Sequence, residues 1–151
     1  AMNNRLIEDN ISDLFVTLFV GILDLNTGEL NYCNAAHCFP VLVRSQGVIE
    51  DLVQSHGIPV GLYSNRNYSQ SSIKLNHNDT LILYSDGLIE AKDENGMTYS
   101  EDVLKYNLVG TWFDSAEGTV NKVLDSLNSF RGNKRAEDDL TIMALKFKRE
   151  G

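Results

Sequence analysis

Leu81-Ile82-Leu83-Tyr84-Ser85-Asp86-Gly87-Leu88-Ile89-Glu90 (LILYSDGLIE, residues 81–90) holds the reading of this chain together. Thr80 to Ser85 is a run of apolar and β-favouring residues, the composition of a buried strand. Asp86-Gly87 ends it. A glycine there lets backbone approach a neighbour closely, or take a conformation other residues resist. A rigid strand end is a good place to fix a carboxylate. The same Asp-Gly pair also reads as an ordinary turn.

Upstream, Ser71 to Leu75 and the turn Asn76 to Asp79 make a hairpin with that strand. Residues 54 to 69 read as a loop punctuated by Gly57, Pro59 and Gly61. Phe15 to Leu25 (FVTLFVGILDL), the turn Asn26-Thr27-Gly28 and Glu29 to Asn34 read as two further strands. Pro40 to Arg44, the turn Ser45-Gln46-Gly47 and Val48 to Val53 read as two more. The connections are too short for parallel crossovers, so the strands are antiparallel. Residues 3 to 14 carry Leu6, Ile7, Ile11 and Leu14 at helical spacing.

Downstream, a turn is expected at Glu94-Asn95-Gly96, and Ser100 can cap a short helix over Glu101 to Leu108. Asp114 and Glu117 fit a capping box. Ala116, Val120, Val123, Leu124, Leu127 and Phe130 then form one apolar helical face that stops at Gly132. The loop Asn133 to Glu137 leads to Asp138-Asp139 and a final strand, Leu140 to Lys148. Antiparallel sheets with helices segregated in sequence make this an α+β fold with a layered sheet core. Phe15, Phe19 and Trp112 are expected in the core, and His56 and His77 in solvent.

The 151 residues suffice for one domain. Acidic residues (21) outnumber basic ones (13), for a net charge of −8, which argues against nucleic acid or an anionic membrane as the main partner. A phosphorylated protein is compatible if a metal supplies positive charge. No apolar run approaches the roughly 20 residues of a membrane helix, and no signal peptide opens the chain. Cys33 and Cys38 lack the second Cys or His pair of a zinc site. They read as thiols in a reducing cytoplasm, with a short-loop disulfide as the alternative.

Asp86 at one strand end and Asp138-Asp139 before another are the carboxylates of interest. With no His or Cys beside them they suit Mg2+ or Mn2+ better than zinc. Two such ions can activate a water and neutralise a phosphoryl group. Asp138-Asp139 reads equally as a solvated loop when taken alone. Arg131, Lys134 and Arg135 form a basic cluster beside Asp138, able to attract phosphate or simply solvated.

In order, FVTLFVGILDLNTGELNYCNAAH, GIPVGLY, LILYSDGLIEA and EDDLTIMAL resemble the SpoIIE/RsbU branch of the metal-dependent serine/threonine phosphatases, the type 2C-like fold. The resemblance runs from about Phe15 to Phe147. It implies a β-sandwich of two antiparallel sheets flanked by helices, and a two-metal Mn2+/Mg2+ site in which Asp86 and Asp138 are ligands. Gly87, Glu90 and Asp139 would lie close to the metals. The implied reaction is hydrolysis of phosphoserine or phosphothreonine by metal-activated water. The implied substrate in bacteria is a phosphorylated anti-sigma-factor antagonist, within sigma-factor or stress regulation in the cytoplasm.

Two departures shape what is expected. The family's Asp-x-x-Gly-His-Gly, whose aspartate bridges both metals, is absent, and Asp9 and Asp13 lack its context. Residues 1 to 14 are therefore expected to be the remainder of a truncated amino-terminal part, with Ala1-Met2 a tag scar. Residues 15 to 151 would be a partial phosphatase domain, inactive alone and prone to pair as a homodimer through exposed strand edges. A catalytically inactive regulatory module that binds a partner protein is the alternative. The second departure is Asn34-Ala35-Ala36-His37, where relatives carry glycine at the position of Ala36. Alanine is unfavourable there if φ is positive. His37 is expected to pack and hydrogen-bond at a strand end.

Overall fold

The structure is a computed structural model that describes residues 2–8, 14–135 and 137–149. It divides into two compact units, Ala1–Phe39 with Val53–Leu75, and Pro40–Leu52 with Asn76–Gly151.

The first unit holds helix α1 (Met2–Glu8) and strands β1 (Leu18–Leu23), β2 (Glu29–Ala35) and β5 (Ser71–Lys74). The sheet runs β1-β2-β5, antiparallel throughout; β5 thus pairs with β2 and does not form the hairpin expected with the strand at Thr80, which ladders with other strands. The expected hairpin closes with Leu23 opposite Leu30. Asp24 shapes the turn by accepting from the Asn26 and Thr27 N–H groups, which hold its carboxyl below the usual range. Period-two burial is clear in β2: Leu30 and Tyr32 are buried between the exposed Glu29 and Asn31. Tyr32 stacks on Phe19 with ring centroids 5.5 Å apart.

His56 departs from its expected exposure. It is buried, edge-on to Tyr32. Its Nδ1 accepts from the Asn34 N–H at 2.9 Å and its Nε2 lies 2.8 Å from Ser71 Oγ. The ring serves a backbone donor that has no ladder partner, and that need cannot be read locally. Phe15 is also misplaced by the sequence reading. It precedes β1 and is 56% exposed. His37 behaves as expected: its N–H donates to Asn34 Oδ1, and Nδ1 lies 3.1 Å from Thr17 Oγ1. Ala36 does have positive φ, 58°. α1 covers the start of the expected amino-terminal helix, but Ile11 lies outside the described residues. No disulfide joins Cys33 and Cys38.

The second unit holds β3 (Val41–Val43), β4 (Ile49–Asp51), β6 (Thr80–Tyr84), α2 (Asp86–Ile89), α3 (Ser100–Leu108), α4 (Ala116–Arg131) and β7 (Ile142–Lys146), with a 3-10 turn at Thr111–Phe113. Its sheet runs β4-β3-β6-β7, again antiparallel. β3 and β6 are the inner strands, which explains their near-continuous apolar sequence. Leu104 and Leu108 of α3 and Val123 and Leu127 of α4 are buried. Tyr99 meets Phe130 edge-on and donates its hydroxyl to Ser126.

The cap of α4 is Ser115 rather than Asp114. Its hydroxyl accepts from the Gly118 N–H, so the capping box with Glu117 does not form. Ser100 is the first residue of α3, and its hydroxyl accepts from the Val103 N–H at 3.4 Å. Trp112 is only partly buried, lying against Gly47. Asp79, expected only in a turn, is fully buried. It accepts from Arg44, the Ser45 N–H and the Asn76 N–H, so the carboxylate meets the rule that buried charge is paired.

Candidate metal centre

The site grows from the pairing of β6 with β7. Tyr84 lies opposite Ile142 in the ladder. One residue on, the Ser85 N–H donates to the Thr141 carbonyl at 3.0 Å, and the Thr141 N–H donates back to Ser85 Oγ at 2.9 Å. The Ser85 hydroxyl also lies 3.4 Å from the Asp139 carbonyl oxygen. Ser85 thus clasps residues 139 to 141 to the end of β6. The two stretches singled out in the sequence, around Asp86 and around Asp138, are held side by side.

Gly87 makes the approach closer still. It sits in the first turn of α2, a short helix where the sequence suggests a turn. A Cβ on Gly87 would overlap the Asp139 carbonyl oxygen and come within 3.7 Å of Asp138 Cβ. Its φ is not in the left-handed region, so space, not conformational freedom, calls for glycine here. Close approach is what requires glycine here, and the neighbour is the protein's own backbone.

Asp86, Glu90, Asp138 and Asp139 are all exposed. Asp86 Oδ1 accepts from the Gly87 N–H at 2.9 Å, and Asp138 Oδ1 from the Asp139 N–H at 2.8 Å. Each carboxylate is therefore oriented by one backbone N–H, while its other oxygen has no protein partner among the described residues. Gly87, Glu90 and Asp138 line a cavity of about 440 Å3 together with Arg131, Arg135 and Glu137. Asp86 and Asp139 stand beside this cavity and are not part of its lining. Asp139 contributes through its carbonyl rather than its side chain.

Exposed carboxylates with an unused oxygen fit a hard, oxygen-seeking cation. They supply only part of a shell: no group of three or more His, Cys, Asp or Glu residues is assembled for a metal among the described residues. A second cavity, of about 450 Å3, lies in the first unit against Leu18, Val20 and Cys33. Its lining has no carboxylate, and it holds none of the expected site residues.

Glu137 and Lys92 also meet at this cavity. Lys134 donates to Glu137 at 2.9 Å and Lys92 lies 3.7 Å from it. The hydrogen bond from Lys134 and the charges of both lysines hold the Glu137 carboxyl below its usual range. The Lys134 half of this pairing has a local signal, the i,i+3 spacing. The Lys92 half has none.

Residues 1–148 match the family model for Stage II sporulation protein E (SpoIIE). The chain belongs to the SpoIIE family. It is 28% identical over 148 residues to the phosphoserine phosphatase RsbU of Bacillus subtilis, covering 96% of this chain and 43% of that protein. The chain spans less than half the length of the curated relatives it matches. Among solved structures, the PP2C phosphatase domain of the cell fate determinant SpoIIE from Bacillus subtilis aligns over 98% of this chain and 43% of its own, with a TM-score of 0.81 at 19% identity. A manganese-presoaked structure of that phosphatase domain aligns over 99% of this chain and 73% of its own (TM-score 0.69, 16% identity). The RsbU and RsbW domains of Rv1364c from Mycobacterium tuberculosis align over 98% of this chain and 40% of theirs (TM-score 0.73, 24% identity). The α+β fold of antiparallel sheets and helices is thus that of the PP2C-like phosphatases in the SpoIIE/RsbU branch. No helix among the described residues is long and apolar enough to cross a membrane.

Proposed function

We propose that this chain carries the Asp86 and Asp138 part of a Mn2+- or Mg2+-dependent phosphatase that hydrolyses phosphoserine or phosphothreonine in a protein. The observation that carries the reading is the packing of Gly87 on the Asp138-Asp139 backbone, which sets two exposed carboxylates from separate strand ends beside one cavity. Asp86 and Asp138 would hold the metal. Glu90 adds a carboxylate on the cavity wall, and Gly87 and Asp139 set the spacing. A bound ion would supply water activation and charge neutralisation at the phosphoryl group. The name of RsbU, a phosphoserine phosphatase, and the manganese presoak of the SpoIIE domain support the same chemistry.

In this reading the substrate is a phosphorylated protein of the anti-sigma-factor antagonist type, in bacterial sigma-factor or stress regulation in the cytoplasm. The phosphatase domain in this reading includes residues 15–148, all within the family match. The test is to assay the full-length natural protein with Mn2+ on an aryl phosphate and on a phosphoprotein. Asp86→Asn and Asp138→Asn each abolish activity if the reading holds. Unchanged turnover in Asp86→Asn refutes it.

A second reading, a catalytically inactive regulatory module that binds a partner protein, is favoured by the incomplete donor set. The sequence upstream of Met2 separates the two: Asp-x-x-Gly-His-Gly there favours the enzyme.

A further inference from the structure

The cavity beside Asp138 has a basic side as well as an acidic one. Arg131 is the last residue of α4, and Arg135 follows in the loop to β7. Both line the cavity with Gly87, Glu90 and Asp138. Neither pairs with a carboxylate among the described residues, although Lys92 and Lys134 nearby both engage Glu137. In a chain of net charge −8, two guanidinium groups left unmatched at one acidic cavity call for an anion. The helix dipole accounts for a cation at the end of α4, but not for Arg135, which lies beyond it.

The loop that carries Arg135 is braced, not merely solvated. Gly132, at φ +58°, turns the chain out of α4. The Asn133 N–H donates to Glu94 Oε1, and a Cβ on Gly132 would lie 3.1 Å from that oxygen. Glu94 is presented by a tight turn in which Asp93 accepts from the Asn95 and Met97 N–H groups, closed by the bridge of Lys92 to Thr98. Lys92 also reaches Glu137. One turn therefore grips the loop on both sides of Arg135.

We propose that Arg131 and Arg135 are the phosphate-receiving side of this cavity, binding the dianionic phosphate of the phosphorylated substrate next to Asp138. The inference rests on the phosphatase reading of the same site. Guanidinium suits the task because its donors form a planar fork that matches phosphate oxygens and stays charged at every working pH.

The experiment is a titration of this chain with inorganic phosphate, followed by the amide and Arg side-chain NMR signals. A parallel Mn2+ titration reads paramagnetic broadening at Asp86 and Asp138. Phosphate is expected to shift residues 131–138. Arg131→Gln and Arg135→Gln are each expected to weaken phosphate affinity about tenfold, the worth of one charge-assisted hydrogen bond. Lys148→Gln removes the same charge past the other end of β7 and is expected to leave affinity unchanged. Wild-type affinity in both arginine variants, or a tenfold loss in Lys148→Gln as well, overturns the proposal. Phosphate binding that depends on the arginines without Mn2+ broadening keeps the basic side and counts against the metal reading, so the two fail separately.

Discussion

Replacing Gly87 with alanine tests the central contact of the site. Two opposed effects meet there. Removing a helical glycine stabilises by about 0.5–1 kcal/mol through the unfolded chain and helix propensity. The new methyl group, however, falls on the Asp139 carbonyl oxygen. Overpacking of a closed contact costs about 1–3 kcal/mol, and the upper half of that range applies because the obstacle is backbone pinned by Ser85 on its other side. The net expectation is a loss of about 1–2 kcal/mol, lowering a urea midpoint by roughly 0.5–1 M. Gly118→Ala supplies the comparison. It also lies in a helix, but its added Cβ meets only side-chain atoms, Ser115 Oγ at 3.3 Å and Asp114 Cβ at 3.5 Å, so it should be neutral or stabilising by up to about 0.5 kcal/mol. The strain has to be relieved by parting α2 from residues 138–139, so Gly87→Ala should also weaken Mn2+ binding. If Gly87→Ala and Gly118→Ala unfold at the same urea concentration, the packing argument for the site is wrong.

Other outcomes follow from the same structure. Ala36→Gly should stabilise by about 0.5–1 kcal/mol, because it relieves a left-handed alanine while adding unfolded-state freedom; a loss of stability on urea unfolding would contradict this. Arg44→Ala leaves Asp79 without its cationic partner in a fully buried position and should cost about 3 kcal/mol, near the low end for a broken buried pair because two backbone N–H bonds remain. The Asp93 carboxyl is held below the usual carboxylate range by backbone N–H groups, Met97 first. Its contribution is therefore present above about pH 4 and lost as pH falls through the lower folded value, so Asp93→Asn should flatten the acid limb of the stability curve. Calorimetry with Mn2+ should show binding weaker than micromolar for this chain alone, since two carboxylates leave most of an octahedral shell to water. β1 lies at a sheet edge with Val20 and Ile22 exposed, Ile22 by 74%, and should drive self-association that Ile22→Lys suppresses in light scattering.

The strands were legible because β2 alternates and β3 and β6 are apolar throughout. By position alone Asp86 and Asp138 read as ordinary turn and loop aspartates, and only the ordered motifs around them single out the pair. What escaped the sequence depends on partners far along the chain. His56 is buried because it answers Asn34, 22 residues away. Asp79 is buried because Arg44 and Ser45 come to it from the end of the neighbouring strand β3, 35 and 34 residues away in sequence. Phe15 looks like core by composition, yet it sits before its strand begins. The cap of α4 moved from Asp114 to Ser115 because both residue types suit an N-cap and only the backbone path chooses between them. At the site, neither the short helix at Asp86 nor the Lys92 to Glu137 pairing has a local signature.

The clasp at Ser85 also bears on the order of events during synthesis. Its partners Asp139 and Thr141 lie 54 and 56 residues further along. Asp86 can be translated and α3 and α4 can coil while the other half of the cavity does not yet exist. Contacts of such long sequence separation form late, because loop closure has to precede them. A chain caught before Ile142 would therefore carry finished helices and half a cavity, so whatever that cavity binds could bind only after the last strand has paired.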